Sequence, residues 1–500
     1  MPTLSDRKAT IALGIALFVS YAYFYQAGGW NQNARFALVR AILERHTLNI
    51  DAYQSHTDDK ALWQGHYYSD KAPGASLLAL APVAVARGIS RLARVDPEGY
   101  AGIAWTSYVA AVATAGLFTV VAALLVMRLA LRWGFSRGAA LFAATSYGIA
   151  SPAWCYATLF MEHGLTAGCL MLAYVAAVNL EDHRATWQPS GSAGPGPSDR
   201  RMRRYAWTLG AWVVLTVLSE LQAAVPASFI VMFALAAARE RSVRDLAATT
   251  TWIVAGGLVA GATLLTYNAL AFGSPLHIGY AVADSPLGLL HTGFFGITYP
   301  TWWRLREILV GSYRGLLPLS PLVAVTPIGL LMLARTPARR RPVFVAAAVA
   351  AFYVLFNASY YYWEGGWAYG PRQMMPALPF LALGLAPLWD RWKRWGRVVL
   401  SAGWLWGGAL TLVAVSTTPQ PPAPDLQAPV RQLLWPAFKD GDLSLNNQTF
   451  VTYRAQPELL RGHHELHAAW NLGEIAGLGG LQSLLPLGLV WLVAALVFLL

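Results

Sequence analysis

The chain is 500 residues long, with 56% apolar and only 12% charged residues. That charged share is about half of what a soluble domain carries, which excludes a soluble globular protein, a disordered chain and a collagen-like fibre. The net charge of +12 raises nucleic acid as a partner, and the placement of the basic residues decides against it.

Long apolar runs recur along the whole length, so the expected class is an all-α polytopic membrane protein. The 21 Trp and 22 Tyr suit aromatic belts at the membrane edges. Cys155 and Cys169 lie in apolar surroundings and imply neither a disulfide framework nor a thiolate metal site.

Arg7-Lys8 precede an apolar run over 9–27, read as an uncleaved first span with its N-terminus inside. Further spans are expected near 102–127, 138–155, 159–180, 206–220, 222–238, 247–270, 315–334, 343–360, 374–389, 398–416 and 483–500, which makes twelve. The run 72–94 is apolar enough to span but carries Arg87, Arg91 and Arg94. If it lies along the outer surface instead, the inside loops gather 21 of the 37 basic residues, from Arg7 and Lys8 to Arg394 and Arg397. The positive-inside rule selects that path and puts both termini inside. The charge excess is then membrane topology, and no nucleic-acid partner is expected.

The expected organisation is a transmembrane module over 1–270, a second over 271–416, a small outside lobe over 417–482 and a final span over 483–500. Outside segments 28–101, 271–313 and 417–482 hold most of the polar chemistry, 361–373 is a further short outside loop, and 185–198 reads as a flexible inside linker.

In the first outside segment, Phe36, Val39 and Leu43 fall at helical spacing, as in an amphipathic helix on the membrane surface. Asp51, Asp58, Asp59 and Asp70 follow, then Lys71 and the turn Pro73-Gly74. A carboxylate there suits a general base and Lys71 suits a phosphate, although turn-forming Asp residues in a solvated loop fit the same pattern. The second cluster is Trp363-Glu364-Gly365-Gly366-Trp367-Ala368-Tyr369-Gly370-Pro371-Arg372. Aromatic faces stack on sugar rings and Arg holds phosphate bidentately, whereas an interfacial belt around a Gly turn is the plain alternative. Arg314 opens a span from the outer side, placed to hold a lipid phosphate or to snorkel. Glu162, His163 and Glu220 are ionisable groups near membrane depth, with His163 also readable as a structural histidine. His463-His464-Glu465-Leu466-His467 lacks the zincin spacing, and Asn447-Gln448-Thr449 matches a glycosylation sequon. No nucleotide-binding motif occurs on the inside.

The arrangement resembles the polyprenyl-phosphate-sugar-dependent glycosyltransferases of the GT-C fold, among them the lipid A aminoarabinose transferases and protein O-mannosyltransferases. Their first outside loop carries an Asp-Glu-x-Arg-Tyr-like element and a Tyr-x-x-Lys-Pro-Pro-like turn. This chain has Gln32-Asn33-Ala34-Arg35-Phe36, then Tyr67-Tyr68-Ser69-Asp70-Lys71-Ala72-Pro73-Gly74. Arg35, Lys71 and Pro73 match, while Gln32 and Asn33 replace the acidic pair. It is also similar to bacterial membrane proteins grouped with glycosyltransferases, through Trp363–Arg372, Tyr313-Arg314-Gly315-Leu316 and Asn471-Leu472-Gly473.

The resemblance implies sugar transfer on the outer face of a bacterial inner membrane, from a polyprenyl-phosphate donor to a lipid, glycan or protein acceptor. Asp59, Asp51 or Asp70 would act as base. Lys71, Arg35, Arg372, Arg314, Trp363, Glu364, Trp367, Tyr369 and His163 would hold the substrate or its phosphate. No cofactor is implied, and a divalent metal stays open. A lipid-linked glycan flippase and a non-catalytic polyprenyl-binding scaffold are the competing expectations. The replaced acidic pair is the best argument for the scaffold.

Overall fold

The computed structural model describes residues 4–26, 28–186, 197–284, 293–422, 426–445 and 469–499. The histidine cluster at 463–467 and the sequon at 447–449 lie outside these residues. So do most of the linker 185–198 and part of the 417–482 lobe.

Helix α1 (Leu4–Ala22) leads through the short strand β1 (Phe24–Tyr25) into α2 (Trp30–Arg40), which continues as a wide turn over Ala41–Arg45. A hairpin follows, β2 (Lys60–Trp63) and β3 (His66–Ser69), then α3 (Gly74–Leu92), α4 (Tyr100–Ala111) and α5 (Leu117–Arg132). The bundle continues with α6 (Arg137–Gly148), α7 (Ala153–Ala157), α8 (Glu162–Thr186), α9 (Pro197–Ser219), α10 (Ala224–Arg239) and α11 (Val243–Phe272). Its second part holds α12 (Trp302–Val310), α13 (Leu316–Leu319), α14 (Thr326–Ala334), α15 (Pro337–Ser359), α16 (Leu378–Ala382), α17 (Leu385–Arg391) and α18 (Arg394–Thr417). The chain closes with α19 (Trp435–Asp440), β4 (Trp470–Asn471), α20 (Leu472–Ile475) and α21 (Leu485–Leu499).

Among the described residues eight helices are long and apolar enough to cross a membrane, α3 among them. The chain is a multi-pass membrane protein. Twelve unbroken spans are not what the structure builds. The segment 138–155 stops at Gly148 and restarts after Pro152, and 315–334 is interrupted at Ser320-Pro321. The segment 374–389 is divided among a tight turn of helix, α16 and α17, because Pro376, Pro379 and Pro387 remove backbone donors.

Geometry fixes the path of α3. The Tyr108 hydroxyl donates to the Ala22 carbonyl at 2.8 Å, while the Thr10 hydroxyl meets Met127 Sδ at 3.9 Å. Helices α1 and α4–α5 are therefore antiparallel, and the chain between them starts and ends at one end of the bundle. An odd number of crossings there is impossible. Helix α3 instead runs beside α2 in the same direction: Ser76 Oγ donates to the Arg35 carbonyl at 2.9 Å and Arg87 Nη1 to Glu44 Oε1 at 2.5 Å. It buries Ala75, Ala79, Val83 and Ala86 and exposes Leu78, Val85, Ile89 and Leu92 on its other face. The helix thus packs small residues against the bundle and turns an apolar face outward, as a helix bordering lipid does.

Two close contacts set the frame. Helices α9 and α11 cross where a Cβ on Gly210 would stand 1.8 Å from the Ile253 carbonyl oxygen, so only glycine fits. Strand β1 pairs with β4, Phe24 opposite Asn471, and fastens the last segment to the end of α1. Asn471 also caps α20 reciprocally with Glu474.

Candidate functional site

A cavity of about 860 Å³ opens at the α2 end of the bundle. One wall is apolar: Leu221, Val225 and Phe229 on or just before α10 face Ala348, Phe352 and Phe356 on α15. The other end is polar, with Asn31, Asp58, Asp59, Asp70, Lys71, Glu162, Gln222, Tyr280, Arg372 and Gln373. An aromatic ladder joins the two. Phe352 stacks on Phe356 at 5.8 Å, Phe356 stacks on Tyr360 at 5.4 Å, and Tyr361 stacks on Tyr362 at 5.9 Å.

Arg35 holds the polar end together from beneath. It is 1% exposed. Its Nη2 lies 2.6 Å from Glu162 Oε2, its Nη1 donates to the Ala72 carbonyl at 3.0 Å, and its Nε to Asn31 Oδ1 at 3.0 Å. One guanidinium thus joins α2, the Asp70–Pro73 turn and the start of α8. This is the fork geometry that a lysine lacks.

Lys71 sits between two carboxylates, 3.1 Å from Asp59 Oδ2 and 3.0 Å from Asp70 Oδ2. Burial works against its charge, but the two carboxylates outweigh it and hold the ammonium well above its usual range. Asp70 is itself buried, and burial pushes its carboxyl up to about 6, with Lys71 pulling it down and Asp59 pushing it further up. Its Oδ1 has no hydrogen-bond partner. A carboxylate with one oxygen unpartnered and a titration near neutrality is a competent general base.

Arg372 is the cavity cation without a carboxylate partner among the described residues. Its Nε is buried and makes no hydrogen bond, and its guanidinium lies 5.9 Å from the centre of the Tyr362 ring. Gly365 leaves it room: at φ +70° it is in the left-handed region, and a Cβ there would meet Arg372 Cγ at 2.8 Å.

Gln32 does structural work. Its amide donates to the Gly28 carbonyl at 2.5 Å and to Gln420 Oε1 at 2.8 Å, and its Oε1 accepts from Phe160 N at 2.7 Å. A carboxylate could not donate to those oxygens. Asn33 donates to the His56 carbonyl at 2.8 Å.

Of the expected site residues, Asp59, Asp70, Lys71 and Arg372 come together at the cavity, with Arg35 behind them. Asp51 stands apart, at the start of the helical turn Asp51–His56 that precedes the hairpin: its Oδ1 accepts from Tyr67 N at 2.6 Å and its Oδ2 lies 2.6 Å from His66 Nδ1, both on β3. Arg314 is fully buried and braces the 363–370 turn, donating to the Glu364 carbonyl at 3.0 Å, the Gly366 carbonyl at 2.6 Å and the Tyr313 hydroxyl at 3.0 Å. Trp363 packs on Trp303 at 5.0 Å, and the Tyr369 carbonyl accepts from Tyr156. Trp363, Glu364, Trp367 and Tyr369 do not line the cavity, and His163 is buried behind its wall. Sequence reasoning missed Tyr280, Tyr360–Tyr362, Gln222 and Gln373. Only the run of three tyrosines ahead of Trp363 offered a signal. Among the described residues no group of three or more His, Cys, Asp or Glu side chains is placed to hold a metal.

No family model matches the chain, and no curated protein matches it. Solved structures do. ArnT from Cupriavidus metallidurans bound to undecaprenyl phosphate superposes with a TM-score of 0.52 at 16% identity, over 87% of this chain and 68% of that one. The same protein in the apo state gives 0.49 at 17% identity, with the same coverage. The archaeal oligosaccharyltransferase AglB from Archaeoglobus fulgidus, in complex with an inhibitory peptide and a dolichol-phosphate, gives 0.44 at 13% identity, over 81% of this chain and 55% of that one. With the bundle, the surface helices and the cavity at one end, the ArnT match makes this chain a membrane protein of the GT-C fold.

Proposed function

We propose that the chain is a glycosyltransferase that moves a sugar from a polyprenyl-phosphate donor to a hydroxyl acceptor at the outer face of the membrane. The observation that carries this reading is the continuity of one cavity. An apolar wall between α10 and α15 runs by an aromatic ladder into a polar end holding an arginine with no ion pair among the described residues and a base-competent carboxylate. A polyprenyl phosphate has the same sequence of parts. The solved ArnT bound undecaprenyl phosphate, which supports that class of lipid.

In this reading the isoprenoid tail lies on Phe229, Phe352 and Phe356. Arg372 takes the phosphate, its guanidinium matching two phosphate oxygens. Tyr360–Tyr362 offer faces to the sugar. The acceptor oxygen attacks C1 of the sugar, the C1–O bond to phosphate breaks with its electron pair, and the acceptor proton passes to Asp70 Oδ1. Asp59 and Lys71 hold Asp70 in place. Arg7 and Lys8 stand at the far end of α1 from the cavity, so the positive-inside rule supports an outward-facing site. Gln32 does not argue for a scaffold, because its amide is used in holding the α2 turn.

The test is transfer in proteoliposomes. Undecaprenyl phosphate carrying a labelled hexose is offered with total membrane acceptors, and wild type is compared with Asp70→Asn, Asp59→Asn and Arg372→Ala. Transfer that Asp70→Asn abolishes in a folded protein supports the reading. The donor is varied over a panel of labelled sugars on undecaprenyl phosphate, and saturable undecaprenyl phosphate binding with no transfer from any of them retires it.

A further inference from the structure

Behind the cavity wall lies a second ionisable cluster with no role in the scheme above. His163 is 0% exposed and Glu220 is 2% exposed. His163 Nδ1 stands 4.0 Å from Glu220 Oε1. Neither ring nitrogen of His163 has a hydrogen-bond partner, and Glu220 Oε2 has none. A histidine kept for packing normally satisfies at least one ring nitrogen. Here the histidine and the carboxylate both keep unused polar atoms in a place where burial penalises them.

The chain goes out of its way to put Glu220 there. It sits in extended conformation between α9 and the short turn Leu221–Ala223, where the helix is interrupted. The pair is one hydrogen bond from the cavity. Gln222 Nε2 donates to Glu220 Oε1, and Gln222 lines the cavity, as does Glu162, the residue before His163. The charged and titratable groups around the pair are Glu162 on the same helix as His163, which acts on both members, Arg35 from α2, Arg372, Tyr156 from α7 and Tyr353 from α15. Arg372 is the residue assigned above to the phosphate.

We propose that His163 and Glu220 are a buried proton-holding pair that protonates the departing polyprenyl phosphate. As the C1–O bond breaks, the electron pair stays on the phosphate oxygen. That oxygen takes a proton from the pair, carried past Gln222 by cavity water. The acceptor proton goes separately to Asp70. The net result is one proton moved from acceptor to phosphate, and both groups return to their starting state by exchange with water before the next turnover. The inference rests on the proposed glycosyl transfer and adds the source of the second proton. His163 and Glu220 act through water and are positioning residues, not catalytic ones.

The two ends of the scheme titrate in opposite senses. Asp70 must be ionised to take a proton, so it sets the acid limb of kcat. The pair must be protonated to give one, so it sets the alkaline limb. The experiment measures kcat and KM between about pH 5 and 9 for the full chain in proteoliposomes, with undecaprenyl phosphate carrying a labelled hexose. Wild type is compared with Glu220→Gln, His163→Gln and the conservative Glu220→Asp, each first shown to unfold at the wild-type temperature. The expected result is a kcat lowered about 10²-fold in Glu220→Gln, with the alkaline limb gone, KM little changed and partial recovery in Glu220→Asp. A wild type that transfers sugar with an alkaline limb unchanged in Glu220→Gln and His163→Gln overturns this inference alone. A wild type that binds undecaprenyl phosphate and transfers nothing overturns the proposed function and this inference together. If Glu220→Gln does not fold, the His163→Gln profile decides by the same criterion.

Discussion

Arg35 Nη2 lies 2.6 Å from Glu162 Oε2, with both side chains almost wholly out of solvent. The pair spans 127 positions of sequence and holds α2 to the head of α8. Because the same guanidinium holds the Ala72 carbonyl, it also sets where Asp70 and Lys71 stand. Removing one partner strands a buried charge, which typically costs about 3–5 kcal/mol. We expect Arg35→Ala and Glu162→Ala each to lower thermal stability in detergent by that order. The double variant should lose less than the sum of the two. A double-mutant cycle with additive losses would show that the pair is not coupled.

Asp70 supplies a pH prediction. Its carboxyl is raised by burial to about 6, and transfer needs the ionised form. The active fraction is therefore full well above pH 6 and falls about tenfold per unit below it. Transfer by the wild type should lose activity as pH drops through about 6. Asp70→Asn should remove about 10²-fold or more at every pH. An acid limb that persists unchanged in the residual activity of Asp70→Asn would assign the titration to another group.

What was legible in the sequence follows from locality. Lys71 follows Asp70 directly, so a carboxylate–ammonium contact needed no fold to foresee. Arg372 stood out because charge beside a span is costly. The long runs that became α8, α11, α15 and α18 could be read from hydropathy alone. Pro152, Pro321 and Pro376 broke runs of equal hydropathy, and a hydropathy window does not see a missing backbone donor. The apolar wall was invisible for another reason. Val225 and Phe352 meet across more than a hundred residues, and each looks like any lipid-facing side chain in its own helix. Arg314 looked like a phosphate ligand because it opens a span. Its actual bonds go to carbonyls of a turn some fifty residues away. No local pattern separates the two uses of an arginine.

Gln32 occupies a position where the resembling glycosyltransferases carry acid, and it tests whether the acid was lost or replaced in role. Its amide nitrogen is within hydrogen-bond reach of three oxygens, the Gln26 and Gly28 carbonyls and Gln420 Oε1, and its Oε1 accepts from one backbone N–H. In Gln32→Glu an ionised carboxylate would face the Gly28 carbonyl and Gln420 Oε1 with nothing to donate. Leaving such groups unsatisfied costs about 1–3 kcal/mol each. The variant should melt lower than wild type and gain no transfer. A rise in activity in Gln32→Glu would mean that the position is a degraded catalytic site and that Asp70 is not the base.

Arg372 separates charge from geometry. It reaches the cavity through the space left by Gly365 and makes no ion pair among the described residues, so its donors are available to a ligand. A charge-assisted hydrogen bond contributes about 1.5–3 kcal/mol, which is about 10–100-fold in affinity. Arg372→Ala should weaken undecaprenyl phosphate binding by that factor while leaving the undecaprenyl alcohol nearly unaffected, because the tail wall on α10 and α15 is untouched. Arg372→Lys should recover only part of the loss, since an ammonium offers a point charge in place of a two-pronged fork. Isothermal binding in nanodiscs with the phosphate and the alcohol in parallel gives both numbers. Equal weakening of the two ligands would place Arg372 in the packing of the 363–372 turn instead of at the phosphate.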